Sequence, residues 1–216
     1  SLCTQCGKCQ EVCAYNAIAV MKEKTLIFPE LCHGCGACSY FCPVKAVTET
    51  DKKIGVIESG RKNDLRFVHG RLDIGQAMAP PVIRAVKKQI HSQGISIIDA
   101  PPGTSCPVIE SIKESDFCLL VTEPTPFGLN DLTLAVEVLR KLDIPFGVVI
   151  NRADLGDHKT DDYCQQEDIP ILMQIPFERK IAEGYSRGKT IIEVLPEYRE
   201  KFQRLYNSIK NCVHYL

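Results

Sequence analysis

The fold of the N-terminal region is decided by Cys3-Thr-Gln-Cys6-Gly-Lys-Cys9-Gln-Glu-Val-Cys13 and its repeat, Cys32-His-Gly-Cys35-Gly-Ala-Cys38-Ser-Tyr-Phe-Cys42-Pro43. When the two stretches are aligned, all four cysteines and one glycine (Gly7 or Gly36) stay in register. The similarity continues into Ala17-Ile18 and Ala46-Val47. This pattern indicates an internal duplication.

The cysteine spacing in each half is that of the bacterial two-cluster iron–sulfur proteins. Three cysteines two residues apart wrap a tight loop around one face of a [4Fe–4S] cube, and small residues let the backbone approach the sulfides. The fourth cysteine reaches across to the other cube in such proteins. We therefore expect two clusters with crossed ligand sets: Cys3, Cys6, Cys9 and Cys42 for the first, and Cys32, Cys35, Cys38 and Cys13 for the second.

Zinc is the alternative occupant, because sets of four cysteines also bind that ion. Zinc ribbons use two separated Cys-x-x-Cys knuckles rather than three close cysteines followed by a Cys-Pro pair, so the spacing favours clusters. The short apolar stretches Ala17–Val20 and Ala46–Thr48 are predicted to pair as small strands that cover the clusters.

The composition of the 216-residue chain, 44% hydrophobic and 25% charged, is typical of a soluble globular protein. A net charge of −1 gives no electrostatic attraction to nucleic acid. No apolar run reaches the length of a membrane span, and no signal peptide precedes Ser1, so we expect a cytoplasmic protein.

The pattern changes near Lys53, where apolar runs begin to alternate with helical periodicity. Ranges predicted as buried strands are 54–57, 66–69, 95–99, 117–122, 146–150 and 171–175. Ranges predicted as helices are 79–91, 108–115, 129–142, 161–167, 179–187 and 197–211. This alternation predicts an α/β domain over residues 53–216, a parallel sheet with helices on both faces, after a small α+β ferredoxin-like module over residues 1–52.

Three strand ends carry candidate ligand-binding residues, since ligands in such sheets bind at the carboxyl ends of the strands. Asp99, with Gly103 in the following turn, suits a Mg²⁺-bound water and a γ-phosphate. Asn151 could contact the edge of a purine, and Pro176 could line a base pocket. Each also has a structural interpretation, as a helix cap, a turn residue or a strand stop.

The stretches Asp99–Pro107, Val121–Gly128, Val149–Asp154 and Ile175–Arg179, together with the cysteine module, resemble MinD/Mrp-type P-loop ATPases that contain an inserted ferredoxin domain. The resemblance implies a deviant Walker A site for ATP and Mg²⁺, dimerisation around ATP, and two [4Fe–4S] clusters. It also implies that Asp99 is the switch aspartate, Gly103 a γ-phosphate sensor and Asn151 an adenine contact.

The Walker A loop of that family is missing from the sequence, and its strand, the first of the core, would lie upstream of the cysteine module. The only similar stretch, Gly184-Tyr-Ser-Arg-Gly188-Lys189-Thr190, has one residue too few between its glycines and follows a helical pattern. We therefore expect that this chain alone does not hydrolyse ATP. A fragment of a longer protein is the simplest explanation; a divergent or split protein is the alternative.

These features predict an iron–sulfur protein in which electron transfer is coupled to an ATP-binding fold. The alternatives are a cluster scaffold or carrier ATPase for metallocofactor assembly, and a partitioning-type ATPase with a structural insert. The expected partner is a redox or cluster-acceptor protein, and the expected assembly a homodimer of the intact protein. Cys106, seven residues after Asp99, is predicted to be a buried thiol, and a metal or redox role is the alternative.

Overall fold

A computed structural model describes residues 2–91 and 93–214 of the chain. The chain divides into two compact units, Ser1–Ile97 and Ile98–Leu216. The predicted boundary after residue 52 between a cysteine module and a nucleotide-binding domain stays a prediction. No helix in the described ranges is both long and apolar enough to cross a bilayer.

The first unit begins with two copies of the same short motif. Helices α1 (Lys8–Glu11) and α2 (Ala37–Tyr40) each start after a glycine in the left-handed conformation, Gly7 with φ 79° and Gly36 with φ 76°. A residue with a Cβ is strained there, which explains why both copies carry glycine. The structure thus repeats the duplication seen in the sequence.

Strand β1 (Ile18–Val20) pairs antiparallel with β2 (Thr25–Ile27), with Ile18 opposite Ile27. The predicted pairing of Ala17–Val20 with Ala46–Thr48 is therefore wrong, and residues 46–48 form no strand. Residues 25–27 follow β1 closely and close a hairpin at a smaller entropic cost than the more distant residues 46–48. In addition, the Val47 carbonyl accepts a hydrogen bond from Ser39 Oγ at 3.3 Å.

Strands β3 (Gly55–Lys62) and β4 (Leu65–Leu72) form an antiparallel hairpin that is separate from the other sheets. The prediction that ranges 54–57 and 66–69 lie buried in a parallel sheet is wrong. The two-residue loop Asn63-Asp64, with Asn63 at φ 53°, favours a tight hairpin turn. Helix α3 (Pro80–Lys87) packs on one face, where a Cβ on Gly70 would lie 2.4 Å from Val82 Cγ1.

The second unit contains a parallel sheet in the order β5 (Cys118–Thr122), β6 (Phe146–Asn151), β7 (Ile171–Ile175). Its helices are α4 (Cys106–Ile112), α5 (Pro126–Lys141), α6 (Lys159–Gln166), α7 (Arg179–Tyr185), α8 (Ile191–Val194) and α9 (Tyr198–His214). Parallel neighbours joined through helices put the carboxyl ends of all three strands on one edge.

Apolar cores lie on both faces of this sheet. On one face, Val148 and Ile150 of β6 pack with Val136 of α5 and Cys164 of α6. On the other face, Val149 packs in a separate cluster with residues of β7 and α9, which are Met173, Tyr198 and Leu205. The predicted parallel sheet with helices on both faces is confirmed.

Residues 95–99, predicted as a buried strand, form no strand in the structure. Ile95 and Ile97 are 70% and 92% exposed. A segment with an alternating apolar pattern forms a strand only if a neighbouring strand accepts and donates its backbone hydrogen bonds. None of the described residues provides such a neighbour here.

Candidate iron–sulfur and nucleotide sites

The two cysteine loops have the same backbone conformation. Positive φ angles occur two, four and thirteen residues after the first cysteine of each copy. In the first copy these residues are Gln5, Gly7 and Asn16, and in the second copy they are Gly34, Gly36 and Lys45. Non-glycine residues seldom adopt positive φ, so the shared positions show one backbone design used twice.

The fourth cysteine of each copy accepts a backbone hydrogen bond. Ala17 N–H donates to Cys13 Sγ at 3.3 Å, and Ala46 N–H donates to Cys42 Sγ at 3.2 Å. The Ala46 N–H lowers the pKa of the Cys42 thiol, while burial acts in the opposite direction. A thiolate is the form that ligates metal, so these amides support ligation.

Exposure follows the same order in both loops. The first two cysteines of each copy, Cys3 and Cys6 or Cys32 and Cys35, are exposed, and the third is half-buried. Cys42 is buried. Burial raises the pKa of Cys38. Each loop therefore presents a series of thiols that runs from solvent towards the interior of the module.

An aromatic contact joins the two loops. The Tyr15 ring, two residues after Cys13, stacks on the His33 ring with centroids 3.6 Å apart and planes 4° apart. His33 lies between Cys32 and Cys35 of the second copy, so the end of one copy contacts the start of the other. This stack places segments from both copies side by side, as crossed ligand sets require.

The donor set fits clusters better than single ions. A tetrahedral zinc site with Zn–S bonds of about 2.3 Å needs sulfurs about 3.8 Å apart. Within residues 2–91 and 93–214, no three His, Cys, Asp or Glu side chains are grouped closely enough to share one ion. Eight thiols lie on two glycine-containing loops, and backbone N–H groups donate hydrogen bonds to the sulfurs of Cys13 and Cys42. This arrangement matches the chemistry of cluster ligation.

The second candidate site is the carboxyl edge of the β5–β6–β7 sheet. Asn151, the last residue of β6, donates through Nδ2 to Glu123 Oε1 at 3.3 Å. Arg152 Nε lies 3.4 Å from the same carboxylate oxygen. Glu123 directly follows β5, so the adjacent strand ends bring together an amide, a carboxylate and a guanidinium.

The end of β7 adds an aromatic residue to this rim. Asn151 and Ile175 are partners in the ladder, and Ala153 N–H donates to the Ile175 carbonyl at 2.9 Å. Pro176 and half-exposed Phe177 follow, and the Arg152 guanidinium lies 5.8 Å from the centroid of the Phe177 ring. Asp154 Oδ1 accepts a hydrogen bond from the Phe177 N–H.

Asp99 and Gly103 lie in the exposed segment that precedes α4. Gly103 has φ 87°, and a Cβ added there would meet no atom within 4 Å. The structure brings Asn151 and Pro176 to one rim. Cys106, predicted to be a buried thiol, is exposed at the start of α4, so that prediction is wrong.

The stretch that resembles a phosphate-binding loop, residues 184–190, joins helix α7 to helix α8. Gly184 lies in α7, and a Cβ on it would be 2.2 Å from Val194 Cγ2 of α8. Thr190 caps α8 in a capping box with Glu193. A phosphate loop links a strand to a helix, so the structure agrees with the sequence argument against this stretch.

The sequence reasoning missed Glu123, Arg152 and Phe177 as members of the rim. Their place at the rim could have been predicted, because each is the first or second residue after one of the strands β5, β6 and β7. Residues in that position lie at the ligand-binding edge of a parallel sheet.

Comparison with known families identifies residues 2–48 as a match to the 4Fe-4S dicluster domain. The match covers both cysteine repeats. The N-terminal module is therefore an iron–sulfur domain, as the cysteine spacing predicted.

Relatives cover more of the chain. An uncharacterized protein of Methanocaldococcus jannaschii is 28% identical over 204 residues, which is 94% of this chain and 67% of the relative. An iron–sulfur cluster carrier protein of Pyrococcus horikoshii is 29% identical over 157 residues, which is 61% of this chain and 53% of the relative. The chain thus spans about half the length of that carrier protein.

Among solved structures, the MinD cell division protein of Aquifex aeolicus matches with a TM-score of 0.50 and 17% identity, over 62% of each chain. At this identity the likeness concerns the fold alone. The chain therefore combines a 4Fe–4S dicluster domain with a MinD-type fold, which confirms its resemblance to the MinD/Mrp-type ATPases that carry a ferredoxin domain.

Proposed function

We propose that this chain binds two [4Fe–4S] clusters and serves in electron transfer coupled to adenine-nucleotide binding. One observation carries the redox part: the fourth cysteine of each repeat accepts a backbone N–H bond, at 3.3 Å for Cys13 and 3.2 Å for Cys42. Hydrogen bonds to cluster-ligating sulfur are one means by which proteins set reduction potential. Four protein thiolates for each cluster leave no iron open to an external ligand, which suits a resident electron carrier.

The proposed ligands are Cys3, Cys6, Cys9 and Cys42 for one cluster, and Cys32, Cys35, Cys38 and Cys13 for the other. Each bound cluster would supply a one-electron couple. The stacked Tyr15 and His33 rings support the crossed assignment, because they hold the end of one repeat beside the start of the other. The exposed thiols of both loops support electron exchange with a partner protein at the module surface.

For the second unit we propose adenine-nucleotide binding at the carboxyl edge of β5–β6–β7. Asn151 and Pro176 would contact the adenine base, and Asp99 and Gly103 would face Mg²⁺ and the phosphates. The rim of amide, guanidinium and half-exposed aromatic ring supports this assignment. Phosphate positioning and dimerisation around ATP are properties that we propose for the intact protein.

Cluster delivery to an acceptor protein is the second candidate function. Similarity to an iron–sulfur cluster carrier protein over 61% of this chain favours it. A delivered cluster must leave its ligands, whereas an electron carrier keeps its cluster through many cycles. The two functions therefore differ in cluster lability.

Anaerobic reconstitution of the full chain with iron and sulfide tests both proposals. Electron transfer predicts about eight iron atoms per chain, an EPR signal of reduced [4Fe–4S]⁺, and repeated reduction and oxidation without loss of iron in the presence of a chelator. Transfer of iron and sulfide to an apo-protein acceptor at a rate faster than chelator extraction would support delivery instead. Chain that takes up zinc but neither iron nor sulfide would overturn both.

Substitution of Cys42 by alanine should reduce the bound iron by about half. The matched control is Cys118→Ala, since Cys118 lies in β5 outside the repeats. Unchanged iron in the Cys42 variant would contradict the proposed ligand set.

A further inference from the structure

The carboxylate of Glu123 lies beside the one amide side chain that ends strand β6. We propose that Glu123 is a positioning residue that fixes the orientation of the Asn151 amide, so that the rim selects a 6-aminopurine over a 6-oxopurine. This inference rests on the nucleotide binding proposed above and adds the residue that determines base specificity.

The chemistry of Glu123 permits only one orientation of its partner. An ionised carboxylate accepts hydrogen bonds and donates none, whereas a carboxamide has one accepting end and one donating end. Asn151 must therefore turn its NH₂ group to Glu123, and the contact of 3.3 Å joins Nδ2 to Oε1. The opposite orientation would place two accepting oxygens against each other.

Arg152 forms an ion pair with this carboxylate. Its Nε lies 3.4 Å from the same Oε1 that Asn151 contacts. The guanidinium is also 5.8 Å from the centroid of the Phe177 ring, so it links the ends of all three strands.

The loop that follows β6 is held against the loop that follows β5. Gly156 has φ 89°, and a Cβ on it would lie 2.0 Å from the Pro124 carbonyl oxygen. A Cβ on Gly128, at the start of α5, would lie 2.3 Å from the Glu123 carbonyl oxygen. These close approaches keep the Glu123 backbone and the Asn151–Arg152 corner in fixed relative positions.

The fixed amide presents a defined pattern to a base. Glu123 uses one hydrogen of Nδ2, which leaves the second hydrogen and the Oδ1 acceptor, and no donor among the described residues occupies Oδ1. Adenine matches this pattern, with its 6-amino group donating to Oδ1 and its N7 accepting from Nδ2. Guanine offers acceptors at both O6 and N7, so its O6 would face Oδ1 unfavourably.

The test uses the isosteric variant Glu123→Gln, whose side-chain amide can donate to Asn151 Oδ1 and so permits the reversed orientation. Glu137→Gln is the matched control, because Glu137 is exposed on α5 and the change in charge is the same. Binding of ADP and of GDP to the reconstituted full chain is measured by isothermal titration for all three proteins.

We expect wild type and Glu137→Gln to bind ADP more tightly than GDP by roughly tenfold or more, and Glu123→Gln to reduce that ratio to about threefold or less. An ADP preference that survives in Glu123→Gln would overturn the role of Glu123 and leave nucleotide binding intact. Failure of wild type to bind either nucleotide would overturn the nucleotide site itself, and the specificity role with it.

A ligand-free measurement separates these outcomes further. The Asn151 side-chain NH₂ resonances should exchange slowly with water in wild type and faster in Glu123→Ala, which removes the acceptor. Equal exchange in the two proteins would show that Glu123 does not hold the amide and would contradict the proposal, whatever the nucleotide affinities.

Discussion

The Ala46 N–H donates to Cys42 Sγ at 3.2 Å, and the same bond recurs between Ala17 and Cys13 at 3.3 Å in the first repeat. In both copies the donor lies four residues after the sulfur. The Ala46 amide lowers the pKa of the Cys42 thiol, since a hydrogen bond to the charged form stabilises it. The two fourth cysteines therefore share the same hydrogen-bonding geometry, which is compatible with a crossed exchange between the repeats.

The crossed ligand sets can be tested with pairs of alanine substitutions. Cys13→Ala should remove one cluster and leave about four iron atoms per chain. Adding Cys38→Ala should cause little further loss, because both residues serve the same cluster. Adding Cys9→Ala instead should remove nearly all iron. Iron content by colorimetric assay distinguishes the cases, and the reverse pattern for the two pairs would establish uncrossed ligation.

Much of the second unit could be predicted because its signals are local and its partners lie within the unit. The predicted range 171–175 coincides with β7, Ile171–Ile175, and 146–150 differs from β6 by one residue. Both are apolar runs bounded by prolines and polar residues, and both are packed by helices of the same unit. The shortness of these runs and the prolines beside them favour buried strands over helices.

The predictions from sequence were wrong where the choice of strand partner determines the structure. Residues 54–57 and 66–69 have strand composition, but the tight turn at Asn63-Asp64 makes them neighbours in a hairpin. Residues 95–99 have an alternating pattern that no described strand completes. The Glu123–Asn151 contact joins residues 28 apart, so only the sheet order reveals it. Composition indicates the kind of element, whereas neighbours determine the sheet to which it belongs.

Replacement of Thr160 by valine should stabilise the second unit. The Thr160 side chain is 1% exposed, and its Oγ1 has no hydrogen-bond partner among the described residues. An apolar isostere removes the desolvation cost, so we expect the free energy of unfolding to rise by about 1 kcal/mol. Chemical denaturation measures the change.

The control for that change is Thr133→Val on α5. Thr133 Oγ1 donates to the Leu129 carbonyl at 2.9 Å, so the same substitution removes a hydrogen bond and should lower stability by about 1 kcal/mol. Destabilisation of similar size in both variants would show that Thr160 has a partner after all.

A methyl group at Gly184 should weaken the contact between α7 and α8. The added Cβ would lie 2.2 Å from Val194 Cγ2, and overpacking costs about 1–3 kcal/mol. Gly184→Ala should therefore lower the melting temperature, and Val194→Ala in the same chain should recover part of the loss.

Lys189→Ala should leave ADP affinity unchanged; a strong loss would show that this stretch binds phosphate.

The buried thiol of Cys164 should make stability depend on pH above neutrality. Burial raises the pKa of Cys164 from 9.0 to about 11. The folded chain therefore holds this proton more tightly than the unfolded chain, so the stabilising contribution is complete well below pH 9.0, where the unfolded thiol begins to titrate. It declines as pH rises towards 11, by at most about 3 kcal/mol.

Cys164→Ala separates this contribution from the lysines and tyrosines that titrate in the same range. The cavity left by alanine lowers stability at every pH, whereas only wild type carries the thiol-dependent slope. Denaturation between pH 7.5 and 10.5 should therefore show wild type losing stability faster than the variant, so that the two curves converge. Parallel curves would mean that solvent reaches the sulfur in the folded state, in conflict with its 1% exposure between β6 and α6.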